Sequence, residues 1–188
     1  MPRVALTFDD GPSADTPAVL DALARHGAQG TFFVLGAVVS GRAEVLRRMR
    51  AEGHEIANHG YGHDRLAHRP LKTLREARRT SALVQRAAGV RPRHFRAPHG
   101  DASVATIAAA RLAGLTTVAW DVDPRDWEAP GAQAIAERVL IAVRAGSIVD
   151  LHDGRGHRQG TVAALDLLVP VLRDRGLQPV TLRMLLGR

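Results

Sequence analysis

Cysteine is absent from this chain, and Lys72 is the only lysine among its 26 basic residues. Without cysteine there is no disulfide and no thiolate ligand, so any metal must be bound by His, Asp or Glu. Aromatic residues make up only 4% of the sequence and do not alternate with the arginines, as they do in proteins that stack on bases. Despite a formal charge of +7, we therefore expect solvated arginine-rich helix faces and no nucleic-acid partner.

Long apolar runs are also missing. No stretch approaches the roughly 18 consecutive apolar residues of a membrane helix, and the first residues lack the pattern of a signal peptide. We expect no membrane association, and the compartment stays open between the cytoplasm and an exported domain whose signal is not in this chain. The length and the 45% hydrophobic content predict one domain over residues 1–188, which we expect to be a monomer.

Short runs rich in β-branched and aromatic residues alternate with segments of helical periodicity, which indicates a parallel sheet. Polar clusters follow most of the predicted strands. In a barrel the carboxyl ends of the strands share one rim, so these clusters favour a distorted, incomplete (β/α) barrel of about seven strands over an open doubly wound sheet. The predicted strands are residues 4–8, 31–35, 55–58, 94–96, 116–120, 147–151 and 179–182.

Two adjacent carboxylates, Asp9 and Asp10, end the first predicted strand before a Gly-Pro turn. One of them can bind a cation while the other stays free. Alternatively, Asp10 only opens the turn and Asp9 caps a helix. His59 and His63 leave the third strand on a glycine-rich loop and are likewise either metal ligands or ordinary loop residues. Together, Asp10, His59 and His63 offer two nitrogens and a carboxylate with positions left open, which is typical of a catalytic site for zinc, cobalt, manganese or nickel.

A single histidine, His152, ends the sixth predicted strand and would face the same rim as these residues. Lone histidines are usually structural. Here Asp123 or Asp121, from the loop of the preceding strand, could pair with His152 and keep it protonated.

Five motifs, in this order, resemble the NodB-type polysaccharide deacetylases of carbohydrate esterase family four over nearly the whole chain. Each motif alone is weak evidence, but five in order at predicted strand ends are specific. They are TFDDGP at residues 7–12, HGYGH at 59–63, RAPHG at 96–100, DPRDW at 123–127 and LHDG at 151–154.

The resemblance implies hydrolysis of N-acetyl groups on an N-acetylglucosamine-containing polymer such as chitin oligomers or peptidoglycan. Acetylated xylan or a small acetylated metabolite are the alternatives. The resemblance assigns Asp9 as general base and Asp10, His59 and His63 as ligands of one divalent metal ion, with zinc expected first. It also implies that Arg96 orients Asp9 and keeps it ionised.

On the substrate side, the resemblance assigns His152 as general acid, tuned by Asp123. The backbone N–H of His99 would hold the oxyanion, and Trp127 and Leu151 would form the pocket for the acetyl methyl. Two positions depart from the usual family pattern. Residue 60 is Gly where a Ser or Thr hydroxyl braces the metal loop, and residue 99 is His where Tyr is frequent, so the identity of the polymer stays open.

Two rival functions use part of the same residue set. An iron oxygenase also binds its metal with two histidines and one carboxylate, and a non-catalytic carbohydrate- or nucleic-acid-binding domain would need no chemistry at all. Neither rival requires both Asp9 and His152. Oxygen consumption with a cosubstrate would favour the first, and steeply salt-dependent DNA binding without acetate release would favour the second.

Overall fold

The computed structural model describes residues 1–187 as a curled parallel sheet with helices around its outer side. The strands are β1 (Arg3–Asp9), β2 (Thr31–Val34), β3 (Glu55–Asn58), β4 (His94–Phe95), β5 (Thr116–Thr117), β6 (Ile148–His152) and β7 (Gln178–Val180). The helices are α1 (Thr16–Arg25), α2 (Gly36–Val39), α3 (Ala43–Ala51), α4 (Pro70–Ala88), α5 (Val104–Leu112), α6 (Ala132–Ala142), α7 (Gln159–Asp174) and α8 (Leu182–Leu186).

The strands follow the order β5-β4-β3-β2-β1-β6, all parallel, and β7 pairs with the first half of β1. β5 ends earlier than predicted because the chain after it crosses to β6. There Val122 bridges to Val149, and the backbone N–H of Asp150 donates to the Val122 carbonyl at 2.8 Å. The sheet thus curls into an incomplete barrel, which confirms the predicted fold class.

Alternation along β1 divides the core into two parts. Val4, Leu6 and Phe8 are fully buried and face the helices, where they join the largest apolar cluster. Ala5 points the other way, into a smaller cluster inside the barrel that includes Leu182 of α8. Each large apolar side chain buried in this way stabilises the folded state by roughly 1.5–3 kcal/mol. Through Leu182, α8 covers the end of the barrel where the strands begin.

The opposite end, where the strands finish, holds the polar residues singled out in the sequence. In the register of the sheet, Asp9 is paired with Phe33 on one side and with His152 on the other. Neighbouring strands lie about 4.8 Å apart, so the last residues of β1 and β6 are direct neighbours. Within residues 1–187, no helix is long and apolar enough to cross a bilayer.

Candidate active site

The loop after β1 carries Asp10 in a left-handed backbone conformation, with φ at 76°. Glycines allow a second loop, after β6, to pack directly against it. A Cβ built on Gly154 would lie 2.2 Å from the carbonyl oxygen of Asp10, and one on Gly11 would lie 2.2 Å from a carboxylate oxygen of Asp153. The close packing of the two loops fixes the direction in which Asp10 points.

Asp10, His59 and His63 come together at the rim as predicted. His63 Nε2 lies 3.1 Å from Asp10 Oδ1, and His59 Nε2 lies 3.5 Å from the same oxygen. One ligand atom from each residue falls within 4.8 Å of the others, a spacing that suits coordination of one ion.

The hydrogen bonding and burial of the trio also suit a cation. The Nδ1–H of His59 donates to the carbonyl of Arg96 at 2.9 Å, so Nε2 is the ring nitrogen that faces Asp10. Burial, reinforced by His59, lowers the pKa of His63 to about 3, so this ring is neutral at physiological pH. Burial raises the pKa of Asp10, and its Oδ1 is fully buried with no hydrogen-bond partner among residues 1–187. A divalent ion bound here would satisfy that oxygen.

The loop between the two histidines is braced without a hydroxyl at residue 60. Gly60 has a φ of 78°, which favours glycine, and its N–H donates to Asn58 Oδ1 at 2.9 Å. Its carbonyl accepts a hydrogen bond from Thr80 Oγ1 of α4 at 2.8 Å, and Tyr61 N–H donates to Glu76 on the same helix at 3.0 Å. Side chains of α4 therefore brace the loop that carries the two histidines.

Asp9 is held by Arg96, as the resemblance implied. Arg96 is 1% exposed, and its Nη1 donates to Asp9 Oδ1 at 2.9 Å, to Asp150 Oδ1 at 2.7 Å and to Thr7 Oγ1 at 2.8 Å. Burial acts to raise the pKa of Asp9, but Arg96 and the nearby histidines outweigh it and lower this pKa. Asp9 is therefore an ionised carboxylate beside the metal-binding trio.

The partner of His152 is Asp126, which corrects the pairing with Asp123 or Asp121 expected from the sequence. His152 Nδ1 lies 2.7 Å from Asp126 Oδ1, and the His152 backbone N–H donates to Asp126 Oδ2 at 2.9 Å. Asp123 instead accepts from the backbone N–H of Arg125 at 2.7 Å, and Asp121 holds the start of β6 through the backbone N–H of Ile148 at 2.6 Å.

The hydrogen bond to Asp126 raises the pKa of His152. Burial acts to lower the pKa of His152, but the hydrogen bond to Asp126, with further help from Asp150 and Asp9, raises it to about 9. His152 is therefore protonated at neutral pH, and it lines the same cavity as the metal-binding trio.

These groups surround one open cavity of about 490 Å³. Trp127 lies in its wall, 48% exposed, with the guanidinium of Arg125 5.0 Å from its ring, and His99 lies at the rim with its ring 4.3 Å from that of His63. The lining residues are Asp9, Asp10, His59, His63, His99, Gly100, Trp120, Asp123, Trp127, Asp150, His152, Arg155 and Arg158.

Leu151 does not line this cavity, and this corrects its predicted place beside Trp127. It is 1% exposed and belongs to the apolar cluster between the sheet and the helices. The reason is strand alternation: His152 points into the barrel end, so its neighbour Leu151 must point outward. The same alternation brings Asp150 into the cavity wall, a residue that we did not single out from the sequence although its spacing from His152 would have identified it.

Residues 1–118 match the family model described as polysaccharide deacetylase. A chitooligosaccharide deacetylase of Sinorhizobium fredii is 46% identical, with 93% of this chain and 87% of that protein aligned. A peptidoglycan-N-acetylglucosamine deacetylase of Bacillus cereus is 37% identical over 96% of this chain and 66% of its own length.

Solved structures of peptidoglycan deacetylases also superimpose on this chain. The crystal structure of a peptidoglycan N-acetylglucosamine deacetylase superimposes with a TM-score of 0.93 at 35% identity, covering 97% of this chain and 87% of that one. The peptidoglycan deacetylase PdaC from Bacillus subtilis has a TM-score of 0.89 at 32% identity, covering 99% and 90%.

Proposed function

Because this chain belongs to the polysaccharide deacetylase family, we propose that it hydrolyses the N-acetyl groups of an N-acetylglucosamine polymer, either chitin oligomers or peptidoglycan, to acetate and free amine. The observation that carries the proposal is the meeting of three parts in one cavity. These are a ligand trio with a buried, unsatisfied carboxylate oxygen, an ionised carboxylate held by Arg96, and a histidine that is protonated at neutral pH.

The metal belongs to the trio of Asp10, His59 and His63. Two imidazole nitrogens and one carboxylate suit a borderline divalent ion, and we propose zinc, with cobalt, manganese or nickel as substitutes. When bound, such an ion polarises the acyl carbonyl and lowers the pKa of water. The chain's own part is to present Asp10 Oδ1 and the Nε2 atoms toward one point, through the His59–Arg96 hydrogen bond and the packing of Gly154 on Asp10.

Asp9 acts as the general base in this proposal. Its Oδ1 is occupied by Arg96, and its Oδ2 lies 3.6 Å from His59 Nε2, at the edge of the trio. This oxygen is placed to take a proton from water as the oxygen of that water attacks the acyl carbon. Arg96 keeps Asp9 ionised and fixes its orientation.

His152 acts as the general acid. An amine is a poor leaving group unless its nitrogen is protonated as the C–N bond breaks. Asp126 holds Nδ1 of His152, so the proton on Nε2 is the one directed into the cavity. The exposed ring of Trp127 gives an apolar face on which a sugar can lie, and the N–H of His99 is the proposed donor to the developing oxyanion.

The test is acetate release from N-acetylglucosamine oligomers and from peptidoglycan. We compare native protein, chelator-treated protein with and without added zinc, Asp9→Asn, and the matched variant Asp166→Asn, whose carboxylate pairs with Arg25 on the outer surface. We expect activity in the native and Asp166→Asn proteins, loss by chelation that zinc restores, and loss in Asp9→Asn that zinc does not restore. Full activity of Asp9→Asn would remove the assigned base, and oxygen consumption in place of acetate release would favour the oxygenase.

A further inference from the structure

Asp150 is a buried carboxylate to which the proposed reaction assigns no role. It lies on the inner face of β6, two residues before His152, and is 3% exposed. Its Oδ1 accepts a hydrogen bond from Arg96 Nη1 at 2.7 Å, the same nitrogen that donates to Asp9. One guanidinium is thus shared by two carboxylates, and Asp150 is not needed to neutralise Arg96.

The second oxygen of Asp150 remains available to a ligand. Oδ2 accepts no hydrogen bond from any side chain or backbone group in the described part of the chain. Side-chain oxygens that are fully buried without a partner occur at Asp10, Thr117 and Asp153 but not at Asp150, so Oδ2 retains access to the cavity that Asp150 lines. One ligand atom each from Asp9, Asp150 and His152 falls within 4.8 Å of the others, so Asp150 lies close to both the proposed base and the proposed acid.

The cavity around Asp150 offers little to an apolar acyl group. Of the residues that the structure describes, no aliphatic side chain of Val, Leu, Ile, Met or Ala lines it, and its large apolar side chains are Trp120 and Trp127. Val149 and Leu151, the aliphatic residues on either side of Asp150 in sequence, both point into the helix-facing core. A methyl group placed against the free oxygen of Asp150 would remove that oxygen from water without giving it a hydrogen bond, which is unfavourable.

We propose that Asp150 selects an acyl group that carries a hydroxyl on the carbon next to the carbonyl, so that N-glycolyl amino sugars are better substrates than N-acetyl ones. The hydroxyl would donate to Asp150 Oδ2, or accept from it if the carboxyl is protonated. Water supplies OH to the acyl carbon and a proton to the nitrogen as the C–N bond breaks, giving glycolate and free amine. The inference rests on the proposed amide hydrolysis at this site and concerns which acyl group is removed.

A site with a buried group that binds a substrate hydroxyl discriminates strongly against the analogue that lacks it, because the group is then left unpaired. We expect kcat/KM of the native protein to be at least about 10-fold higher for the glycolyl substrate. N-acetyl oligomers remain substrates at the lower rate.

The experiment uses two oligomers with the same sugar backbone, one N-acetylated and one N-glycolylated, and measures release of free amine. Native protein, Asp150→Leu, Asp150→Asn and the surface control Asp166→Asn are compared by the ratio of kcat/KM for the two oligomers. Changes at Asp150 also reach Asp9 through Arg96, but this affects both substrates, so the ratio isolates contact with the acyl group. We expect the ratio to fall to one or below in Asp150→Leu, to fall less in Asp150→Asn, which keeps a hydrogen-bonding side chain, and to be unchanged in Asp166→Asn.

Equal rates of the native protein on the two oligomers would overturn the inference, and this measurement needs no variant to fold. A native preference that persists in Asp150→Leu would also overturn it, because another group would then be responsible. Failure of the proposed function looks different: no amine would be released from either oligomer.

Discussion

The pairing of His152 with Asp126 leads to a prediction at the scale of single residues. Asp126→Asn replaces the carboxylate 2.7 Å from His152 Nδ1 by a neutral amide, so the pKa of His152 should fall from about 9. We expect the alkaline limb of the kcat/KM profile to move to lower pH, with a loss at pH 8 of about 10² in rate, the lower end of general acid contributions. The measurement is acetate release from pH 5 to pH 10.

Asp123→Asn is the matched control for that experiment, because Asp123 is the partner that the sequence suggested. Its carboxylate caps the turn at Arg125 and does not bond His152. We expect its alkaline limb to coincide with that of the native protein. An alkaline limb that moves in Asp123→Asn and stays in Asp126→Asn would show that the structural assignment of the partner is wrong.

Asp123 and Asp126 show which residue contacts can be predicted from sequence. Both belong to the DPRDW motif at residues 123–127, and from the sequence alone either could have reached the end of β6. The choice is made by the backbone: Arg125 adopts a left-handed conformation at φ 54°, and a short 3-10 turn over Asp126–Glu128 then brings Asp126 beneath His152. No propensity in the sequence predicts a left-handed arginine. The metal trio was predictable because Asp10 and His59 directly follow strands of the barrel and His63 lies on the same short loop as His59.

Contacts between neighbouring loops act at the scale of structural elements, and Gly154 is the clearest example. A methyl group at this position would lie 2.2 Å from the backbone oxygen of Asp10, so one of the two loops must move. We expect Gly154→Ala to lose metal affinity by about 10-fold or more and activity in parallel, since supporting residues of a metal site have effects of this size. Bound zinc is measured after dialysis, and deacetylation is assayed on the same samples.

Gly160→Ala is the control for the loop variant. Gly160 lies in the first turn of α7, and the nearest atom to a Cβ there, in the side chain of Ile135, is 3.6 Å away, an ordinary contact. This variant should bind zinc as the native protein does. Normal zinc binding by Gly154→Ala would mean that the position of Asp10 does not depend on the loop after β6.

At the scale of elements the sequence predicts the strands better than their ends. β3 has the predicted bounds: it is a short, largely buried run, and a glycine-rich loop that carries two histidines follows it directly. β5 stops at Thr117, although the apolar run continues to Trp120, because the next residues turn toward β6. The end of β5 is set by pairing between distant segments of the chain, so it cannot be predicted from the local sequence pattern.

For the whole molecule, alternation of strands and helices predicted a parallel sheet, since parallel neighbours need a crossover connection, and the polar clusters at the strand ends favoured a barrel over an open sheet. The bottom of the barrel was not predictable in the same way. The last strand pairs with the first half of β1, and α8 then inserts Leu182 among Ala5, Phe33 and Ala57. Those residues come from four distant parts of the chain, and only the packed structure shows that they form one cluster.

The titration of His152 should also be visible in the stability of the whole protein. Its pKa is about 9 in the folded state against an ordinary value of 6.5, so the folded state binds this proton more tightly. The stabilisation is complete below pH 6.5 and is lost as pH rises through 9, and it amounts to at most about 3 kcal/mol. Burial also raises the pKa of Asp153, to about 7. The stabilisation that comes from its proton is therefore lost as pH rises through 7, before that of His152 is lost.

We therefore expect the free energy of unfolding of the chelator-treated protein to fall by about 2–3 kcal/mol between pH 7 and pH 9.5, measured by urea titration. Chelation matters because a bound ion stabilises the folded state by mass action and would add its own pH dependence. In Asp126→Asn the fall should be smaller, since His152 then has a folded pKa nearer its ordinary value.

In Asp166→Asn the fall should match that of the native protein, because Asp166 pairs with Arg25 and His26 on the outer surface. A native protein whose stability is constant over this interval would mean that His152 is neutral in the folded metal-free state, and the proton for the leaving amine would then have to come from another group.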